Sequence, residues 1–227
     1  MTFKEALSSS VGRKLVMALS GIFLILFLVV HAGINACIWA MDGGVMFNKA
    51  AHFMGSTVLI RVLEVGLFVF FFIHIIQGLQ LEAYNRSKRG ISYAVDYGNR
   101  GSKWYSRSMG LLGTIILIFL IVHWVHFWIP SRFTGTPMTM IDGKEHHDMF
   151  ILMQETFKHL WVVILYVLAC ISLCYHLMHG FQSAFRTMGV HNKRYNALLT
   201  KAGIAYSVVV SAAFAAMPIT MYFNLVK

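Results

Sequence analysis

Charge is what this sequence has least of. Asp, Glu, Lys and Arg together make 12% of its 227 residues, while 58% are hydrophobic. Soluble globular domains average about 25% charged and roughly 45–50% apolar residues, so an ordinary water-soluble fold is excluded. Cysteine is scarce as well. Cys37, Cys170 and Cys174 all stand in apolar runs. No CxxCH motif is there to attach haem covalently, and no paired spacing suits zinc. The three read as small buried hydrophobes. The sequence also lacks low-complexity tracts, fixed-period repeats and a linker to a second unit, so residues 1–227 are expected to form one domain.

What is present is apolar length, with a mean hydropathy of +0.66. A helix needs about 20 mainly apolar residues to span a bilayer. Five runs reach that: residues 15–40, 58–84, 109–130, 153–178 and 202–225. The expected fold class is all-α, an integral membrane bundle of five transmembrane helices. The first run exceeds the roughly 7–15 residues of a signal-peptide core and reads as a mature helix. Residues 41–56 are expected to form a short external helix with turns. Residues 131–150, polar and holding a Pro and two Gly, read as an external loop.

The formal net charge of +10 does not indicate nucleic acid, because of where the basic residues lie. Lys4, Arg13 and Lys14 precede the first run. Arg86, Lys88, Arg89, Arg100, Lys103 and Arg107 separate the second from the third, and Arg186, Lys193, Arg194 and Lys201 the fourth from the fifth. The opposite side is poorer in Lys and Arg and carries Asp42, Asp142, Glu145 and Asp148. By the positive-inside rule the N-terminus is cytoplasmic and the C-terminus external. The basic loops also suit docking of an extramembrane partner.

Histidine is abundant, with eleven residues. His31, His74, His123, His126, His176 and His179 fall within or at the ends of the apolar runs, and each is a functional candidate, because ionisable residues in spans face the bundle interior. An imidazole bonded to a neighbouring helix is the plainer role for any single one. Depth sorts them. Counted from Lys14, Arg107, Arg86 and Arg186 at about 1.5 Å per residue, His31 lies about 26 Å in, His123 about 24 Å, His74 about 18 Å and His176 about 15 Å. That makes an outer layer, His31 with His123, and an inner layer, His74 with His176. Two imidazoles facing each other at one level suit the two axial positions of a haem b, and two layers imply two haems. The motif H-x-x-x-G follows both inner histidines, at Gly78 and Gly180. A glycine on the ligand's own face lets a porphyrin edge approach the backbone, although small residues also serve helix packing. His126 and His179 stand three residues beyond a ligand, match the layers less well, and are assigned to propionate hydrogen bonding or structure.

These residues carry a resemblance. The chain resembles the single-chain, five-helix, di-haem cytochrome b subunit of succinate:quinone oxidoreductases (succinate dehydrogenase and fumarate reductase), above all the menaquinone-linked bacterial class. The matching motifs are SGIFLILFLVVH ending at His31, FNKAAHFM, IHIIQGLQL around His74, LGTIILIFLIVH ending at His123, and HLMHGFQSAFRTMG from His176. In the last, a His followed by Gly at four and thirteen positions favours His176 over His179. The resemblance implies a bacterial cytoplasmic-membrane protein that anchors a flavoprotein and an iron–sulfur subunit on the cytoplasmic side. It implies that electrons pass between the iron–sulfur subunit and (mena)quinone through the two haems. With neither a dinucleotide fingerprint nor cluster-binding cysteines, the chain is not expected to oxidise succinate alone. His52 and Glu64 are candidates for quinone binding and proton exchange, against loop packing for His52 and an interfacial carboxylate beside Arg61 for Glu64. Some family members carry a glutamate two residues before the last ligand; Cys174 stands there instead. Trp104, Trp128 and Trp161 read as interfacial anchors. The competing reading is a membrane oxidoreductase with a histidine-ligated non-haem metal, and a transporter or purely structural anchor is a third.

Overall fold

A computed structural model of the chain describes residues 9–88, 103–190 and 192–226. Lys4, Arg89 and Arg100, and the side chains of Lys88, Lys193 and Arg194, lie outside the described residues. Helix α1 (Ser10–Ala36) is capped by Ser9, whose Oγ accepts from the Gly12 N–H at 3.0 Å. It ends in a 3-10 turn, Cys37–Ala40. The chain then reverses through left-handed positions at Met41, Gly43 and Gly44. Gly44 is required twice over: its φ is 82°, and a Cβ there would collide with the Phe150 ring. Helix α2 (Val45–Ser56) leads through Thr57 into α3 (Val58–Lys88).

A single turn, Trp104–Arg107, precedes α4 (Met109–His123). The helix continues in wider π-helical turns over Trp124–Trp128 and Pro130–Thr134 and stops at Gly135. Pro130 has no N–H to give the preceding turn, which disfavours regular α pattern there. Strands β1 (Met138–Ile141) and β2 (Lys144–His147) form an antiparallel hairpin, with Met138 opposite His147. Helix α5 (Met149–Phe157) starts at Asp148, whose side chain accepts from Ile151 N–H. Then come α6 (Leu160–Thr187) and α7 (Lys193–Tyr222).

Five helices are long and apolar enough to cross a membrane: Val11–Ala40, Val58–Ser87, Met109–Thr134, Leu160–Thr187 and Tyr195–Tyr222. The molecule is an all-α, multi-pass membrane bundle with one small hairpin. Three expected boundaries shift by about two turns, one of them the far end of the fourth span, at Thr187 rather than residue 178. The fourth span runs from Leu160, not residue 153, because extended backbone at His159 breaks the chain and the preceding apolar residues belong to α5. The fifth begins about two turns earlier, where a basic, polar stretch extends the helix past its apolar part. Residues 131–150 are not a plain loop: Asp142 and Gly143, both at positive φ, make the two-residue turn of the hairpin.

Side chains sort by surroundings. On α3, Val58, Val62, Val65, Val69, Phe72, Ile76 and Leu79 form an exposed stripe at alternating spacings of four and three, the lipid-facing surface. The packed apolar core lies at the loop-rich end, where Ile38, Phe47, Phe150, Phe157, Val163 and Met217 meet. The bundle's middle differs. No described residue of α3 is buried, and in α4 only Leu112 is.

Candidate functional site

A cavity of about 2850 Å3, open in part to the outside of the bundle, runs between the helices. Pockets for drug-sized ligands hold roughly 300–1,000 Å3, so this space exceeds what a single such group fills. His31, His74, His123 and His176 all line it. They meet in two pairs. His31 of α1 faces His123 of α4 with ring centroids 5.9 Å apart and planes crossing at 88°. His74 of α3 faces His176 of α6 at 6.2 Å and 68°. These are the pairs expected from depth.

Hydrogen bonds orient the rings. Ser20 Oγ donates to the Met17 carbonyl at 3.1 Å and lies 3.2 Å from His74 Nδ1. The contact with Ser20 occupies Nδ1, so Nε2 is the ring nitrogen of His74 left for another partner. Asn35 Nδ2 donates to the His31 carbonyl at 2.8 Å and lies 3.4 Å from that ring's Nδ1. Nδ1 of His123 and Nδ1 of His176 are buried without a protein partner, an arrangement that costs free energy unless something else satisfies the ring.

Two glycines that sequence reasoning passed over flank the inner pair. A Cβ on Gly21 would stand 3.6 Å from Cε1 of His74, and one on Gly113 would stand 3.8 Å from Cε1 of His176. Gly21 precedes His31 by ten residues, and Gly113 precedes His123 by ten. This G-x9-H echo in the first and third spans was the available signal, complementing H-x-x-x-G in the second and fourth. It also corrects the spacing of the layers. Ten residues at about 1.5 Å each put the inner pair roughly 15 Å from the outer pair on both helices. The depth count gave only about 8–9 Å, because Arg86 and Arg186 do not mark one plane with Lys14 and Arg107.

The other candidates divide. Gly78 and Gly180 line the cavity; a Cβ on Gly78 would touch only Met17, at 3.7 Å, and one on Gly180 would meet nothing within 4 Å. His179 lines the cavity too. His126 lies behind the cavity wall, against Tyr166, which does line the cavity. Its Nδ1 lies 2.9 Å from the Tyr166 hydroxyl and its ring is parallel to that of Tyr166. The π-helical turn after His123 is wider than an α turn, so a residue three positions on no longer shares the histidine's face.

At the loop-rich mouth of the cavity, Glu64 is not beside Arg61 alone. Arg132 donates to both its carboxylate oxygens, at 3.2 and 3.1 Å, and Trp128 Nε1 donates at 2.8 Å, with Arg61 at 3.5 Å. Trp128 is thus tied to Glu64 through its indole N–H. His52 lines the same mouth and packs on His146 of β2, ring centroids 4.2 Å apart. Burial, and then the neighbouring His52, push the His146 imidazole below its ordinary value. The ammonium of Lys49, 2.5 Å away, holds the Asp142 carboxyl below the usual carboxylate range.

The donor set can be tested against a haem. A metal held between two imidazole nitrogens at about 2.0–2.1 Å from each spaces the ring centroids by roughly 6–6.5 Å. Both pairs are close to that spacing, both lie in a cavity of sufficient size, and open backbone at Gly180 adjoins the inner pair. The residues fit two such groups. Among the described residues, no three or more His, Cys, Asp or Glu side chains converge as they would around a non-haem ion. Comparison with known protein families, with curated proteins and with solved structures finds no match.

Proposed function

We propose that the chain is the membrane anchor and electron-transfer subunit of a succinate:quinone oxidoreductase, with two b haems, one held by His74 and His176 and the other by His31 and His123. The observation that carries this reading is the two imidazole pairs from four helices, stacked in one cavity at ring spacings of 6.2 and 5.9 Å. Bound haem supplies reversible one-electron transfer. The chain supplies ligation, orientation and insulation. Ser20 and Asn35 hold the His74 and His31 rings, Gly21 and Gly113 keep space beside the inner pair, and the apolar core at the loop-rich end shields the outer pair from water.

In this reading a quinone, menaquinone by the resemblance, binds at the loop-rich mouth. His52 and Glu64 exchange its protons there, with Arg132 and Trp128 positioning the Glu64 carboxylate. The basic end, cytoplasmic by the charge rule, docks the iron–sulfur and flavoprotein subunits that handle succinate or fumarate. The N-terminus is then cytoplasmic and the C-terminus external, in a bacterial cytoplasmic membrane. The absence of any three-ligand cluster among the described residues supports this reading over a non-haem metal enzyme.

The test is a redox titration of the protein isolated from its own membranes, with and without a quinone-site inhibitor. Two bis-histidine b haems per chain are expected, with the potential of the outer one shifted by the inhibitor. Bound non-haem iron with no Soret band would replace the proposal by the non-haem reading.

A further inference from the structure

A second, smaller recess of about 240 Å3 lies at the basic end of the bundle, between the turn Trp104–Arg107 and the last turns of α6. Its walls carry Lys103, His179 and Arg186, with Tyr105, Ser106 and Gln182 among them. On α6 the spacings of His179, Gln182 and Arg186, three and then four, put these side chains on one face. Among the described residues, no Asp or Glu lines the recess. Among the described residues, no ion pair involves Lys103, His179 or Arg186. Arg86 and Arg132, by contrast, are paired with Glu82 and Glu64. Basic groups brought together without a counter-charge repel one another, and an anion between them reverses the sign of that interaction. A guanidinium, an ammonium and neutral O–H and N–H donors are the groups that hold a phosphate.

The surroundings indicate which phosphate. Trp104, 42% exposed, packs on Tyr175 at 4.7 Å and on Tyr105 at 6.0 Å. Aromatic clusters of this kind sit at the headgroup level of a bilayer. Beyond the turn, Leu111 and Ile118 of α4, and along α6 Leu168 and Ile171, are exposed. We propose that the recess binds the phosphate of an anionic phospholipid, as basic pockets between membrane helices do, with the acyl chains lying along α4 and α6. Ser106, His179, Gln182 and Arg186 also line the large cavity. The competing occupant is therefore a carboxylate of a cofactor held there, and the test separates the two.

The test uses the full chain purified in mild detergent, with bound lipid read by native mass spectrometry and by extraction. Phosphatidylglycerol, phosphatidylcholine and inorganic phosphate are the probes. The wild type is expected to retain phosphatidylglycerol and release phosphatidylcholine. Each removed charge is expected to weaken retention about fivefold, so the K103Q/R186Q variant loses about 25-fold. The charge-keeping K103R/R186K variant is expected to stay near wild type, with helical circular dichroism unchanged in both. If the double variant does not fold, the single variants K103Q and R186Q carry the comparison. Equal phosphatidylglycerol retention in wild type and the charge-removing variants overturns the proposal. So does equal retention of phosphatidylcholine, or displacement of the lipid by inorganic phosphate. Loss of cofactor absorbance with lipid retention unchanged would assign the charges to a cofactor's carboxylates instead.

Discussion

Each of the four cavity histidines is one half of a pair, so removing either half has the same consequence. His74→Ala and His176→Ala are expected to abolish one and the same b-type signal in a reduced-minus-oxidised spectrum, and His31→Ala and His123→Ala the other. If His74→Ala removed the signal lost in His123→Ala, the pairing would be wrong. The flanking glycines allow a finer test. The 3.6 Å gap between a Cβ at position 21 and His74 admits a methyl but nothing branched beyond it. Gly21→Ala should leave both signals, whereas Gly21→Leu should displace the His74 ring and deplete the inner signal alone. Gly113→Leu should do the same through His176. Selective loss of the outer signal in either variant would contradict the assignment.

At the scale of elements, polar bonds tie the loop-rich end to the bundle. Asn48 of α2 is buried; it donates to Asp148 at 3.0 Å and accepts from Phe150 N–H at 3.1 Å, joining α2 to the start of α5. Asn48→Ala leaves both partners buried without it, and is expected to cost about 1–3 kcal/mol in thermal or denaturant unfolding. The hairpin rests on α2 through His146 and His52. Lys49 and Lys144 oppose charging of His146, and Asp142 favours it, with the net direction downward. A histidine whose value is lowered in the folded state takes up its proton more readily when released. Docking of the hairpin is therefore full above about pH 6.5 and is lost as pH falls below it toward the lowered value. Hydrogen exchange across β1 and β2, corrected for intrinsic rate, should show protection falling between about pH 7.5 and 5, and His146→Gln should flatten that dependence. Protection independent of pH in the wild type would remove His146 as the cause.

For the whole molecule, the cavity matters most. Protein interiors are normally close-packed, yet no described residue of α3 is buried and α4 has one. The packed parts are elsewhere, in the core at the loop-rich end and between α6 and α7, where Gly203 lets Phe181 approach closely. A ligand that binds only the folded bundle stabilises it by mass action. Protein made in a haem-deficient host should thus unfold at a lower temperature than the cofactor-loaded form. In hydrogen exchange the lost protection should concentrate in α3 and α4 and spare α6 and α7. Uniform loss over all five spans would mean that the cavity is not the seat of the added stability.

Hydrophobic length alone determined the five spans and the all-α class, because a bilayer leaves a chain few other ways to satisfy its backbone. Helical rise alone sorted the four histidines into the two pairs that meet in the fold. Ends and faces were another matter. The break at His159 and the hairpin at Asp142 and Gly143 depend on local backbone turns that an apolar count does not register. The direction of His126 depends on a π-helical turn, and the partners of Glu64 include residues 64 and 68 positions away in sequence. The distance between the layers was fixed only when Gly21 and Gly113 were seen to lie against His74 and His176. Periodicity along one helix is a local property that a sequence carries in full. Which face of one helix meets which level of another is set by packing between them, and only the tertiary structure decided it.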